Sequence, residues 1–432
     1  MTALVSILNK RAAVIAADSA VTISKDGKTR IYNTANKIFR LSDNKPVGVM
    51  IYDSSQFMQT PWDVLFKLYR ERRSNRSFDT LKEYADDFLG FLKSEKHCNA
   101  AENQWDCLTS AISSQYYKVQ ENARQECKEA LEENPDADAQ QLFNERVMEN
   151  IRLSNEAFAE NGLCPDFENY SLRQFKSYAK ERFNELVDLC KEEGVPGTRE
   201  EWEENIYNYI RSQVLYTETS IVFVGYGDDD IFPSLIHVHV GGIIDGHLMY
   251  YYDEGEAISY DNDASIQPFA QTDTMISLMK GIHPTMYETI LGKLDDALGS
   301  AKQKMMDSLA ETGISEAQMT KVNEMNFDDI AEKFHSEMRD YIQDTFIDGI
   351  VDAVGSFNIE DMVKMAESLI SITNLQRHFS SSEESVGGPV DVAVITKSEG
   401  FVWVNHKQWF QQELNPQMGE RRFHFPSLFH SF

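Results

Sequence analysis

Residues 2–19 read TALVSILNKRAAVIAADS, and residues 36–41 read NKIFRL. The first stretch holds two apolar runs, 3–8 and 12–17, on either side of the polar Asn9-Lys10-Arg11. Short apolar runs bounded by turn residues read as strands, so the stretch predicts a buried hairpin. A turn centred on Lys10 pairs residues whose numbers sum to about 20, which sets Thr2 opposite Asp18. Once Met1 is removed, Thr2 would carry a hydroxyl and a free α-amine, a nucleophile and a base on one residue. The amine has an ordinary pKa near ~8 and is partly neutral at cellular pH. Lys37, in Asn36-Lys37-Ile38, supplies a cation that would lower the pKa of that amine and hydroxyl. Asp18 would hold Lys37 charged and oriented. Singly, Asp18 also reads as a turn residue and Lys37 as an edge-strand solubility device.

Outward from this hairpin the chain alternates between strands and helices. Residues 24–30 (SKDGKTR) predict a turn, and 37–41 and 46–52 two further strands. A helix begins near Asp63 after Pro61-Trp62. From about 78 to 214 apolar residues recur at three and four, as in 81–96, 142–160, 172–194 and 199–214, which predicts helices almost throughout. Strands return at 220–227, 235–240 and 247–252. Helices return over 285–377, broken near Gly313, Asn326 and Gly355, and 390–396 with 401–404 form a closing hairpin. Strands grouped in hairpins predict antiparallel sheets flanked by helices, an α+β class.

Charge divides the chain in the same place as periodicity. Residues 1–74 carry 12 Lys and Arg against 6 Asp and Glu, whereas 75–215 carry 16 against 29 and all five cysteines. The expected division is therefore 1–77 as the first part of a core, 78–214 as an acidic helical insertion, and 215–432 as the second part of the core. That last part includes an enlarged helical region, 285–380, and an aromatic tail.

A net charge of −29 over 432 residues argues against nucleic acid and anionic membranes, which need a basic face. No stretch approaches the ~18–20 apolar residues of a membrane helix, and the first residues lack a signal peptide's layout, so a cytoplasmic protein is expected. An odd number of cysteines without a C-x-x-C predicts reduced thiols.

Thr2-x-x-Val5-Ser6, Val14-Ile15-Ala16-Ala17-Asp18-Ser19 and Asn36-Lys37-Ile38 resemble the proteasome β-subunit family and its bacterial relatives, which are N-terminal-nucleophile (Ntn) hydrolases. Ser385 to Thr396 (SVGGPVDVAVIT) is similar to the family's late Ser-Gly-Gly segment. The resemblance spans 1–73, 217–280 and 385–405. It implies a four-layer αββα sandwich with an inserted helical module. It implies a threonine peptidase acting through an acyl-enzyme on Thr2, with Asp18 and Lys37 tuning the site. It assigns the supporting hydroxyls to Thr274 (or Thr272) and Ser385. Its oxyanion donor falls near Ile51-Tyr52-Asp53, with Tyr52 where the family has glycine. Glu383 stands near the place of the family's late acid. No cofactor or metal is implied. The implied partners are a peptide or protein substrate, further copies of the chain in a homo-oligomer such as a ring, and an ATPase or other protein. Two alternatives accompany this reading: an amidase or acylase on a small molecule, and an inactive scaffold whose helical module binds a partner.

Other motifs are weaker. His237-x-His239 puts two rings on one face of a strand, as a metal pair would, but no third ligand at a suitable spacing is evident. Asp228-Asp229-Asp230 could hold a cation but reads first as a solvated turn, and Gly225-Tyr226-Gly227 as a strand-end turn. Trp105, Trp202, Tyr207 and Tyr209 read as core aromatics of the helical module or as a partner surface. The tail 423–432 would pack on its own subunit or dock on a neighbour.

Overall fold

The computed structural model describes residues 2–25, 28–32, 34–215, 218–311, 328–380 and 387–407. In chain order its strands begin with β1 (Ala3–Asn9), β2 (Ala13–Ala17), β3 (Val21–Lys25), β4 (Lys28–Tyr32), β5 (Ile38–Arg40) and β6 (Val47–Asp53). The short β7 (Gln56–Phe57) and β8 (Thr60–Pro61) follow. After the first helices come β9 (Thr219–Gly225), β10 (Ser234–Ile244), β11 (His247–Tyr252), β12 (Glu256–Ala257) and β13 (Ala264–Ala270). β14 (Asp391–Thr396) and β15 (Gly400–Asn405) close the order. The first helices are α1 (Trp62–Arg73), α2 (Leu81–Ser94), α3 (Ala101–Glu133), α4 (Ala139–Glu160), α5 (Leu172–Tyr178), α6 (Lys180–Glu193) and α7 (Arg199–Arg211). The later ones are α8 (Asp273–Lys280), α9 (Pro284–Glu311), α10 (Asp328–Ile342), α11 (Asp348–Ser356) and α12 (Ile359–Ser380).

The fold is mixed α and β with antiparallel sheets. The first of two large sheets runs β13-β1-β2-β14-β15, and the second runs β11-β10-β9-β6-β5 with β12 beside β10; β3-β4 and β7-β8 are separate two-stranded pairs. β1 and β2 are apolar on both faces because both faces are covered: every residue in them is buried. Leu4, Leu8, Ala13 and Ile15 of the first sheet share a core with Met50, Val222 and Val224 of the second. The alternate residues Val5, Ile7, Val14 and Ala16 pack instead with Val354, Met362, Ala366 and Ile370 of α11 and α12. On the far side of the second sheet, Val49, Phe223 and Val238 pack with Trp62, Phe66, Leu81, Phe88 and Leu92 of α1 and α2. Each such side chain contributes roughly 1.5–3 kcal/mol relative to exposure. Gly48 lets the two sheets approach, since a Cβ there would sit 2.7 Å from Ile395 Cδ1.

A fourth cluster belongs to the helical segment. It runs from Cys107 and Leu108 through Tyr116, Phe175 and Trp202 to Ile210, and it docks on Ile244 and Met249 of the β10–β11 hairpin. Helices α2, α5 and α7 each open with a capping box, on Thr80–Glu83, Ser171–Gln174 and Thr198–Glu201. Such a cap satisfies two backbone N–H groups that the helix cannot, for about 1 kcal/mol each. Helix α2, grouped with the acidic segment on its periodicity, packs with the sheet instead. All five cysteines are buried thiols.

The strand at 264–270 has no counterpart among the sequence expectations. Pro268 lies inside it, and proline is tolerated there because β13 is an edge strand. β10 runs on through Gly241-Gly242, four residues past its expected end. The expected helix breaks at Gly313 and Asn326, and the aromatic tail, lie outside the described residues. Among the described residues no helix is long and apolar enough to cross a membrane.

Candidate active site

The β1–β2 turn sets the geometry. Asn9 N–H donates to the Ala12 carbonyl (3.0 Å), and the Asn9 side-chain oxygen accepts from Arg11 N–H (2.9 Å). The Asn9 amide then donates to the carbonyls of Val354 (2.9 Å) and Phe357 (3.1 Å), which fixes the turn on α11. The loop is thus two residues, Lys10 and Arg11, and the register is Leu4↔Ala17 and Val5↔Ala16. That is one residue away from the register expected of a turn centred on Lys10. Asp18 stands opposite Ala3, not opposite Thr2.

The shift still leaves Asp18 beside Thr2. Asp18 N–H donates to the Ala3 carbonyl (3.1 Å). The N–H of the Thr2–Ala3 peptide bond donates to Asp18 Oδ1 (2.8 Å). Thr2 directly precedes β1, half-buried, and its carbonyl accepts from Gln271 N–H (2.9 Å). Strand alternation puts Thr2 on the face of Leu4, toward the second sheet.

Lys37 arrives from that second sheet. Its carbonyl accepts from Ile51 N–H (2.9 Å), which ties it to β6. Its ammonium meets Asp18 Oδ1 at 2.7 Å, and both side chains are almost fully buried. Asp18 Oδ2 also accepts from Ala20 N–H (3.1 Å) and Gly387 N–H (3.4 Å). The Gly-Gly segment is thereby placed at Asp18, while Ser385 and Glu383 just before it lie outside the described residues. Burial pulls the Lys37 ammonium pKa below its ordinary value, partly opposed by the Asp18 charge. A buried lysine so poised is suited to tuning a neighbouring proton acceptor.

The other expected positions fare differently. Thr274 is buried in the first turn of α8, and its hydroxyl has no hydrogen-bond partner there among the described residues. Thr272, the other threonine considered, lines a cleft of about 560 Å³ that also holds Tyr52, Asp53, Phe269 and Ala270. Ala270 is the strand partner of Ala3, so this cleft lies near the start of β1, although Thr2, Asp18 and Lys37 are not among its lining residues. At the expected oxyanion position Ile51 N–H is already committed to Lys37. The Tyr52 ring packs on Phe269, and its hydroxyl meets His237 Nε2 at 3.0 Å. Burial pushes that hydroxyl up to about 12.

Two features escaped the sequence reading. Asp391, directly opposite Ala17 on β14, is buried and forms an ion pair with Lys407 and a 3.2 Å contact with His406 Nδ1. This second pair is close enough to Lys37 to act on its ionisation. The signal was an aspartate directly after Gly-Gly-Pro-Val in an otherwise apolar strand. The second feature is Asp253, just past β11, whose carboxylate joins His237 and His239. No family model matches the chain, and no curated protein matches it.

Proposed function

We propose that the chain is an N-terminal threonine hydrolase of the Ntn type, acting as a peptidase. The helix–sheet–sheet–helix order of its apolar clusters supports reading the fold as the αββα sandwich of that class. The observation that carries the proposal is the buried Lys37–Asp18 pair, 2.7 Å long and one peptide unit from Thr2. A buried ion pair is a poor source of stability. Its position one peptide unit from Thr2 would let the Lys37 charge lower the pKa of that residue's amine and hydroxyl. With Met1 removed, Thr2 Oγ would attack the scissile carbonyl while its α-amine accepts the proton. The amine would return that proton to the leaving nitrogen. Water would then hydrolyse the resulting ester and release the free acid.

A second reading, an amidase or acylase on a small amide, is favoured by the size of the cleft near the start of β1, which falls in the range of small-molecule sites. Both readings need the same nucleophile. The test is incubation with an α′,β′-epoxyketone, which reacts fully only where one residue offers both hydroxyl and amine, followed by peptide mapping. The expected adduct is on Thr2 of a chain lacking Met1. Thr2→Ala should lose it and all turnover, and Lys37→Ala should slow turnover by about 10²–10⁴. A native chain that retains Met1, or hydrolysis unchanged in Thr2→Ala, overturns the proposal.

A further inference from the structure

The β10–β11 hairpin carries a cluster that the Thr2 chemistry does not use. His237 and His239 project from one face of β10, two residues apart, and both are buried. Asp253 follows β11, with its carboxylate exposed toward the cleft. Asp253 Oδ2 lies 3.3 Å from His237 Nδ1 and 3.6 Å from His239 Nε2. Both lengths exceed the ~2.7–2.9 Å of a charge-assisted hydrogen bond. The first equals the edge of a zinc tetrahedron, about 3.3 Å for ligands ~2.0–2.1 Å from the ion, and the second is slightly longer.

The remaining ring nitrogens already have partners. His239 Nδ1 contacts the Glu218 carboxylate, which can only accept, so Nδ1 carries the proton and Nε2 keeps its lone pair. His237 Nε2 faces the Tyr52 hydroxyl at 3.0 Å, which can accept its N–H and leave Nδ1 as the free lone pair. In that pair of tautomers the two lone pairs converge on the same carboxylate oxygen, and each ring is oriented from behind as metal-bound histidines are. The described lining of the adjoining cleft includes Asp53, Asp253, Glu254 and Glu256 and no lysine or arginine.

We propose that His237, His239 and Asp253 bind a divalent transition-metal ion of the zinc class, with Glu218 and Tyr52 as positioning residues. Two imidazoles and one carboxylate suit such an ion better than Mg²⁺ or Ca²⁺, which prefer oxygen. The fourth position faces the cleft and would take water or an oxygen of a ligand bound there. The proposal does not rest on Thr2 being a nucleophile.

The test is titration of the chelator-stripped full chain with Zn²⁺ by calorimetry, with zinc-edge X-ray absorption on the complex. One equivalent with two imidazoles in its first shell is expected, with Mg²⁺ failing to compete. Asp253→Asn alters an exposed carboxylate and should leave folding intact while weakening binding at least tenfold. Glu218→Gln should weaken it by about 10–100-fold. His239→Gln should remove one imidazole from the absorption spectrum. Absence of a stoichiometric site in the wild type overturns the proposal. So does affinity unchanged in both Asp253→Asn and His239→Gln, which would put the ion on the acidic surface.

Discussion

Asp18 is where three distant segments meet: the start of β1 through Ala3, the lysine loop through Lys37, and the late glycines through Gly387. Three backbone N–H groups and one ammonium saturate its carboxylate. Removing the ammonium alone leaves a buried charge without its counterion, a change that costs about 3–5 kcal/mol. Lys37→Met should therefore lower the unfolding free energy by that amount in urea. The double variant Asp18→Asn/Lys37→Met should be less destabilised than the sum of the singles. A Lys37→Met chain within about 0.5 kcal/mol of wild type would mean that the pair is wet and the buried geometry wrong. At this scale Asp18 and Lys37 were legible because their residue types and spacing are unusual between apolar runs. The register was not legible, because Asn9 shortens the loop through its own side chain, and sequence alone left the turn centre open by one residue. Asp253 was not legible as a partner of His237 and His239, because only the fold of the hairpin returns it to them.

Among the elements, the β14–β15 hairpin closes the first sheet and is tied at its open end by Asp391. The carboxylate accepts from Lys407 N–H (2.9 Å), and it also faces the Lys407 ammonium and His406. Burial alone would raise the Asp391 pKa, but the hydrogen bonds from His406 and Lys407 outweigh it and hold the pKa below its ordinary 3.8. Between the folded pKa and 3.8 the unfolded chain therefore binds the proton more readily. The stabilisation is fully present above about pH 4 and is lost as pH falls through the folded pKa. Urea midpoints of wild type and Asp391→Asn should thus differ most above pH 4 and converge on acidification. A difference that stays constant down to the acid limit would mean that Asp391 is not ionised in the fold. Most elements were visible in the sequence because their apolar periods are clean. β13 was not, because Pro268 reads as a breaker unless one knows that it lies at an edge. The true end of β10 was hidden by Gly241-Gly242. Gly242 is small because Cys107 Sγ lies where its Cβ would be, a long-range contact with no local signature.

For the molecule as a whole, the question is how much of the acidic segment the sheets need. Helix α2 covers the second sheet: Leu81, Tyr84, Phe88 and Leu92 share a core with Phe223 and Val238. From Cys107 onward the helices bury most of their apolar residues among themselves; they meet the β10–β11 hairpin at Ile244 and Met249, and also through Asp166 on Leu248 N–H and through Phe167 and Tyr170 on His247. The chain also leaves and re-enters at one place, since Cys107 and Leu215 pack on the adjacent glycines Gly242 and Gly241. A short Gly/Ser linker replacing residues 100–214 should therefore span the gap without moving β9 or α2. That variant should fold with its strands paired, at reduced stability, because Ile244 and Met249 lose their cover. A deletion starting at residue 78 also strips α2 from Phe223 and Val238 and should be insoluble. Circular dichroism and solubility of the two variants decide the matter. If the shorter deletion also fails to fold, the helical cluster is part of the main core rather than a cap on it. If both fold equally well, α2 does not serve as the cover that its packing implies.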